Sequence, residues 1–217
     1  MGLTIHYRGN FRTGASLSKM IEEVEDIVSI NRWEYHIFDR EFPKNSLNKK
    51  TFNDDVYGIC FTPPDCETVT LTFLSNGRLC NPFYFLKCYK EDLQDKNFTA
   101  KMRKTLLFSS FTKTQYAGPS THKKIITLFR YLNQNYFTRF KMYDESKYWE
   151  TNDEKVMYEN FNVYNSLVNS VASAFKNFPM KDDEPIVEYF KRAFRQQNFL
   201  TGKIKPDEIK EIKVVRR

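Results

Sequence analysis

Apolar and polar positions follow two rhythms along this chain, and the changes of rhythm mark its elements. Residues 3–11 set Leu3, Ile5 and Tyr7 against Thr4, His6 and Arg8, the period of two of a half-buried strand. After Gly14 the period lengthens. Leu17, Met20, Ile21, Val24, Ile27 and Val28 share one helical face, with Ser16 placed as N-cap and Glu22, Glu23, Glu25 and Asp26 on the opposite face. Residues 33–42 return as a strand ending at Pro43, and 44–56 are polar enough for a loop. An apolar run at 57–61 stops at Pro63-Pro64. The stretch TVTLTFL at 68–74 alternates in the manner of a strand. Its Ser75-Asn76-Gly77 turn predicts an antiparallel partner over 78–85. Residues 86–99 fit neither rhythm.

The second half repeats the order. Residues 104–118 read as a long strand with Leu106, Phe108 and Phe111 apolar, stopped by Gly118-Pro119. Ser120 or Thr121 then caps a helix presenting Ile125, Leu128, Phe129, Leu132 and Tyr136, and 140–143 is again a strand. Thr151 and Glu154 have the spacing of a capping box. The helix they open has a seam of Met157, Phe161, Tyr164, Val168, Val171, Phe175 and Phe178, stepping alternately by four and three. A charged break at 179–185 precedes a last helix over 186–200 and a charged tail.

Residues 3–42 and 104–148 thus both read strand, helix, strand. With the central hairpin they predict an α+β fold: a mixed, mostly antiparallel twisted sheet with helices on one face, ferredoxin-like in its βαβ units and extended by C-terminal helices. The expected division is an α+β domain over 1–178 and a C-terminal helix with its tail over 179–217.

Composition adds bounds. Hydrophobic residues at 41% suffice for one buried core. The twenty Phe and thirteen Tyr are what an AT-rich genome would produce, so aromatic abundance alone carries no functional weight. No run approaches the ~18 apolar residues of a spanning helix. The start MGLTIHYRGN lacks the pattern of a secretory signal, and His6 stands where a myristoylation pattern needs Ser or Thr. The expectation is a soluble, cytoplasmic protein. Cys60, Cys66, Cys80 and Cys88 include no Cys-x-x-Cys pair and read as free, packed thiols.

Charge is distributed unevenly along the chain. The net charge is +7, and residues 96–143 hold ten Lys or Arg and no Asp or Glu. Asp144, Glu145, Glu150, Asp153, Glu154 and Glu159 follow at once. Lys123, Lys124, Arg130, Arg139 and Lys141, with Tyr116, Tyr131, Tyr136 and Phe137 near them, are the residue types that hold phosphates and stack bases. Against this, Lys123, Lys124 and Arg130 fall on the polar side of their helix, where any solvated helix carries charge, and no nucleic-acid motif accompanies them. Asp144, Glu145, Glu150 and Asp153 have the oxygen chemistry of a divalent-cation loop but not its glycine or its alternation. Carboxylates ahead of a helix also complement its dipole. Tyr148 and Trp149 either fold back onto the core or form the lip of a pocket. His6, His36 and His122 show no clustered spacing, and neither a glycine-rich phosphate loop nor a nucleophile elbow is present. No catalytic residue, metal site or cofactor is expected.

Three segments, TIHYRG at 4–9, KTQYAG at 113–118 followed by His122, and YWETND at 148–153, resemble a group of bacterial proteins of uncharacterised function, over roughly residues 3–165. The resemblance implies a shared pocket of His6, Lys113, Gln115, His122, Tyr148, Trp149 and Glu150, with no catalytic role attached. The leading expectation is a non-enzymatic binding or interaction module that recognises a protein or small molecule through that region. The alternatives are a nucleic-acid-binding module using the basic 96–143 stretch, and a hydrolase assembled from scattered His and acidic residues.

Overall fold

The computed structural model describes residues 3–87 and 99–200. They form an α+β fold of two compact units, one within residues 3–161 and the other within 162–200. The first unit is ordered β1 (Thr4–Phe11), α1 (Leu17–Ile30), β2 (Glu34–Ile37), β3 (Val56–Thr62), β4 (Val69–Leu74), α2 (Pro82–Phe85), α3 (Ala100–Leu107), β5 (Ser110–Lys113), α4 (Gly118–Asn135), β6 (Phe137–Asp144) and α5 (Tyr148–Thr151). The division falls inside α6 (Glu154–Asn177), and α7 (Ile186–Leu200) follows.

The strands make two antiparallel three-stranded sheets, β5-β1-β6 and β2-β3-β4, where the sequence suggested one. Side-chain hydroxyls explain the break. The Thr70 N–H in β4 donates to the Tyr7 hydroxyl at 2.9 Å, and that hydroxyl donates back to the Thr70 carbonyl at 3.1 Å. Thr70 Oγ1 donates to Ser110 Oγ at 3.0 Å, and Thr112 Oγ1 to the Thr68 carbonyl at 3.2 Å. The polar groups through which β4 and β5 would pair are taken by buried hydroxyls. Burial pushes the Tyr7 hydroxyl above its ordinary pKa, so it stays neutral and able to donate.

Helix α1 follows its pattern. Ser16 accepts from the Lys19 N–H, and Leu17, Met20, Ile21, Val24 and Val28 are buried. They lie with Leu3, Ile5, Phe11, Ile125, Phe129 and Leu132 in the interior. Other segments depart from the expectation. The start of the long strand expected over 104–118 is instead the end of a helix: Thr99 caps α3 by accepting from Met102 N–H, and only Ser110–Lys113 is extended. The hairpin partner expected over 78–85 is reduced to a bridge between Leu79 and Phe73, while Arg78 bridges to Asn10 of β1. Asn81 accepts from Phe83 N–H and Tyr84 N–H, and Pro82 starts α2 at once. Helix α4 begins at Gly118, before the hydroxyls expected to cap it, with Pro119 in its first turn. The expected capping box does not form: Thr151 Oγ1 donates to the Lys147 carbonyl, and Asp153 accepts from the Lys155 N–H.

In the second unit Phe178 packs against Tyr189 and Ala193. Arg192 Nε and Nη2 each donate to the Glu184 carboxylate at 2.8 Å. Among the described residues no helix is long and apolar enough to cross a membrane.

Candidate functional site

The outward face of the β5-β1-β6 sheet is built by strand alternation. Ile5, Tyr7 and Phe11 point into the core, which turns His6 and Arg8 to solvent. His6 pairs in register with Phe111 on one side and Tyr143 on the other. The three rings form a row across the sheet, with centroid separations of 6.3 Å and 6.0 Å. Phe111 is 39% and Tyr143 52% exposed. Phe111 faces outward because Thr112 occupies the buried parity of β5, where its hydroxyl donates to the Thr68 carbonyl. Beside the row Arg8 lies directly opposite Lys141, an unfavourable pairing of like charges. Lys147 Nζ sits 4.3 Å from the Tyr143 ring centre, and Glu145 Oε1 lies 3.5 Å from His6 Nε2. His6, Arg8, Phe111, Lys141 and Tyr143 line a shallow depression of about 420 Å³.

The sheet then bends. Two steps of β1, Arg8 to Asn10, face three steps of β6, Lys141 to Thr138, so β6 carries an extra residue. Arg139 sits at this bulge with φ of 52°, a left-handed conformation costing about 1–3 kcal/mol for a residue other than glycine. Such strain persists where the surroundings impose it. Here they do: Phe140 is held among Phe129, Phe137 and Trp149.

The remaining expected site residues lie elsewhere. Gln115, His122 and Tyr148 are buried. Gln115 Oε1 accepts from Leu3 N–H at 3.1 Å. Helix α4 presents His122 to Asp144 and Ser146 at the end of β6, all three without solvent exposure. His122 Nε2 is 2.8 Å from Ser146 Oγ and 3.2 Å from Asp144 Oδ2, while Nδ1 is 2.6 Å from Thr114 Oγ1. Ser146 Oγ donates to Asp144 Oδ2 at 2.8 Å, which assigns the Nε2 proton to His122. Burial raises the Asp144 pKa, but the His122 hydrogen bond and charge, with the Trp149 and Ser146 donors, outweigh it and hold the carboxyl below its usual range. The cluster contains Ser, His and Asp, yet serine and aspartate share one nitrogen and no substrate can reach the hydroxyl. Its geometry is that of a satisfied polar core.

The acidic loop is likewise occupied by the backbone. Glu145 Oε2 accepts from Thr4 N–H and Glu150 Oε1 from Asp144 N–H. Trp149 folds back onto Phe140 at 5.8 Å. Among the described residues no three His, Cys, Asp or Glu side chains are grouped to hold a metal ion. Thr4, Thr114, Tyr148 and Trp149 thus each bond to His122 or to the 144–146 stretch.

The basic stretch divides in two. On α4, Lys123 pairs with Glu154 at 2.5 Å and Lys124 Nζ donates to Asn31 Oδ1 at 2.7 Å. Arg130 donates to the Tyr148 and Trp149 carbonyls and to Asn152 Oδ1. Arg139 and Lys141, on β6, face outward, and Lys113 is half-buried above the Tyr116 ring. Sequence reasoning missed Arg8, Phe111 and Tyr143. The available signal was the outward parity that β1 shares with its neighbours.

No protein-family model, curated protein or solved structure matches this chain.

Proposed function

We propose that the outer face of the β5-β1-β6 sheet binds single-stranded nucleic acid, with bases on Phe111, His6 and Tyr143 and phosphates against Arg8 and Lys141. One observation carries the reading: a register-matched row of three exposed rings lies beside two cations that face each other without an intervening acid. Rings at this spacing offer successive π-faces to unpaired bases, whereas a duplex hides its bases from such a platform. An anion between Arg8 and Lys141 would relieve their repulsion. The interior positions of Gln115, His122 and Tyr148 leave little for a ligand to touch at the site expected from the sequence.

The test is fluorescence anisotropy of labelled single-stranded octanucleotides. Stacking contributes about 1–3 kcal/mol per base, so Phe111→Ala and Tyr143→Ala should each weaken binding by roughly five- to 150-fold. Two phosphate contacts give a slope of log affinity against log salt near −1.4, at about −0.7 per phosphate. Arg8→Ala with Lys141→Ala should flatten it. Equal affinity for duplex and single strand, or indifference to both aromatic replacements, would sink the proposal.

A further inference from the structure

Past the bulge the sheet opens into a second concavity, a polar cleft of about 930 Å³. Its walls come from separate parts of the chain: Arg12 and Arg139 from the ends of β1 and β6, Lys49 and Lys50 from the loop before β3, Arg78 after β4, and Lys104 from α3. No Asp or Glu lines it among the described residues. Elsewhere in this unit cations find acids, as in Lys19–Glu23, Arg40–Glu25 and Lys123–Glu154. In the cleft, Lys49, Lys50, Lys104 and Arg139 have no carboxylate within ion-pair distance among the described residues.

Two of the guanidinium groups are already oriented. Arg12 Nη2 donates to the Phe137 carbonyl at 3.0 Å and the Asn133 carbonyl at 3.3 Å. Arg78 lies over the Phe108 ring at 3.4 Å. Anchoring of this kind lowers the entropic cost of binding an anion. The left-handed Arg139 adds a third cation at a point where glycine would be the relaxed residue. A solvated charge run accounts for isolated surface lysines, but not for cations converging from five segments on one concavity that no Asp or Glu lines among the described residues.

We propose that this cleft is an oligophosphate site, holding two or three consecutive phosphates between Arg12, Arg139 and the Lys49-Lys50 loop. Those phosphates belong either to a strand leaving the sheet face or to a free oligophosphate chain, and the chemistry of recognition is the same. The inference stands on the cleft itself and does not require the stacking face.

The experiment is calorimetric titration of the whole protein with tripolyphosphate and, separately, sulfate at constant ionic strength. Tripolyphosphate is expected to bind at least tenfold tighter. Arg139→Gly keeps the bulge, because glycine adopts positive φ freely. That variant and Lys49→Gln/Lys50→Gln should each weaken tripolyphosphate at least tenfold with urea midpoints no lower than the parent's. Phe111→Ala/Tyr143→Ala should leave it unchanged, so failure of the stacking face registers separately, in the oligonucleotide titrations. If the phosphates belong to a strand, the cleft variants also weaken an octanucleotide but not a trinucleotide. If they belong to a free chain, both oligonucleotides bind as before. Tripolyphosphate binding no tighter than sulfate, or unaffected by both cleft variants, overturns the proposal.

Discussion

Gly9 lies against Phe140: a Cβ on residue 9 would meet Phe140 Cδ2 at 3.0 Å and its Cα at 3.1 Å. The contact sits where β6 carries its extra residue, and it lets the Phe140 ring tuck beneath the sheet while Arg139 turns outward. Gly9→Ala should therefore destabilise the protein by about 1–3 kcal/mol through overpacking. A urea midpoint shift measures the cost. Arg139→Gly should do the opposite and raise the midpoint.

Asp144 sets an acid limit. Its folded pKa lies below that of an exposed aspartate, so its contribution is complete above the unfolded value, about 3.9. That contribution is lost as pH falls from there through the folded value. Asp144→Asn leaves His122 beside a neutral amide in a site without solvent. Losing the hydrogen bonds that the buried carboxylate accepts costs about 1.5–3 kcal/mol. Urea titrations across the acid range should show the parent losing stability more steeply than the variant.

Arg130 is half-buried and bonded to the scaffold. Its guanidinium ties α4 to α5 through the Tyr148 and Trp149 carbonyls and lies 5.0 Å from the Tyr148 ring centre. Arg130→Ala should lower the urea midpoint by an amount equivalent to about 1–3 kcal/mol, as charged hydrogen bonds to a folded loop are lost. Lysine should restore little, having no planar fork. Neither change should alter oligonucleotide affinity in protein that remains folded.

The thiols should be slow to react. Burial pushes Cys66 and Cys80 each up to about 12 and raises Cys60 as well. At pH 8 almost none of the Cys66 or Cys80 thiol is thiolate, the reactive form. In a Cys88→Ser background, which removes the one cysteine outside the described residues, a chromogenic disulfide should label native protein far more slowly than urea-unfolded protein. Rapid native labelling at Cys66 or Cys80 would contradict this burial.

What the sequence disclosed was local. Ser16 and the apolar face of α1 could be read because an N-cap and a 3.6-residue period lie within one short window. Thr4 to Arg8 could be read because parity needs only neighbours. The helix at Ala100–Leu107 was hidden because Leu106 and Phe108 keep strand parity, while the Thr99 cap that decides the matter lies just before them. The His122 cluster draws on Thr114, Asp144 and Ser146, and no local pattern announces that they meet. The fate of the cations was equally non-local. Lys124 reaches back to Asn31, and Arg130 forward to the Tyr148 and Trp149 carbonyls, so charge counting could not separate scaffold from surface.

The central position of β1 has a consequence for biosynthesis. Both partners of this first strand emerge much later: Thr4 pairs with Lys113, and Ile5 with Asp144. At synthesis rates of about 5–20 residues per second, β1 waits roughly five to twenty seconds with both edges open. Throughout that interval an alternating apolar strand is available to chaperones and to other nascent chains. Closure of the His122–Asp144 cluster, late in translation of this unit, ends that exposure.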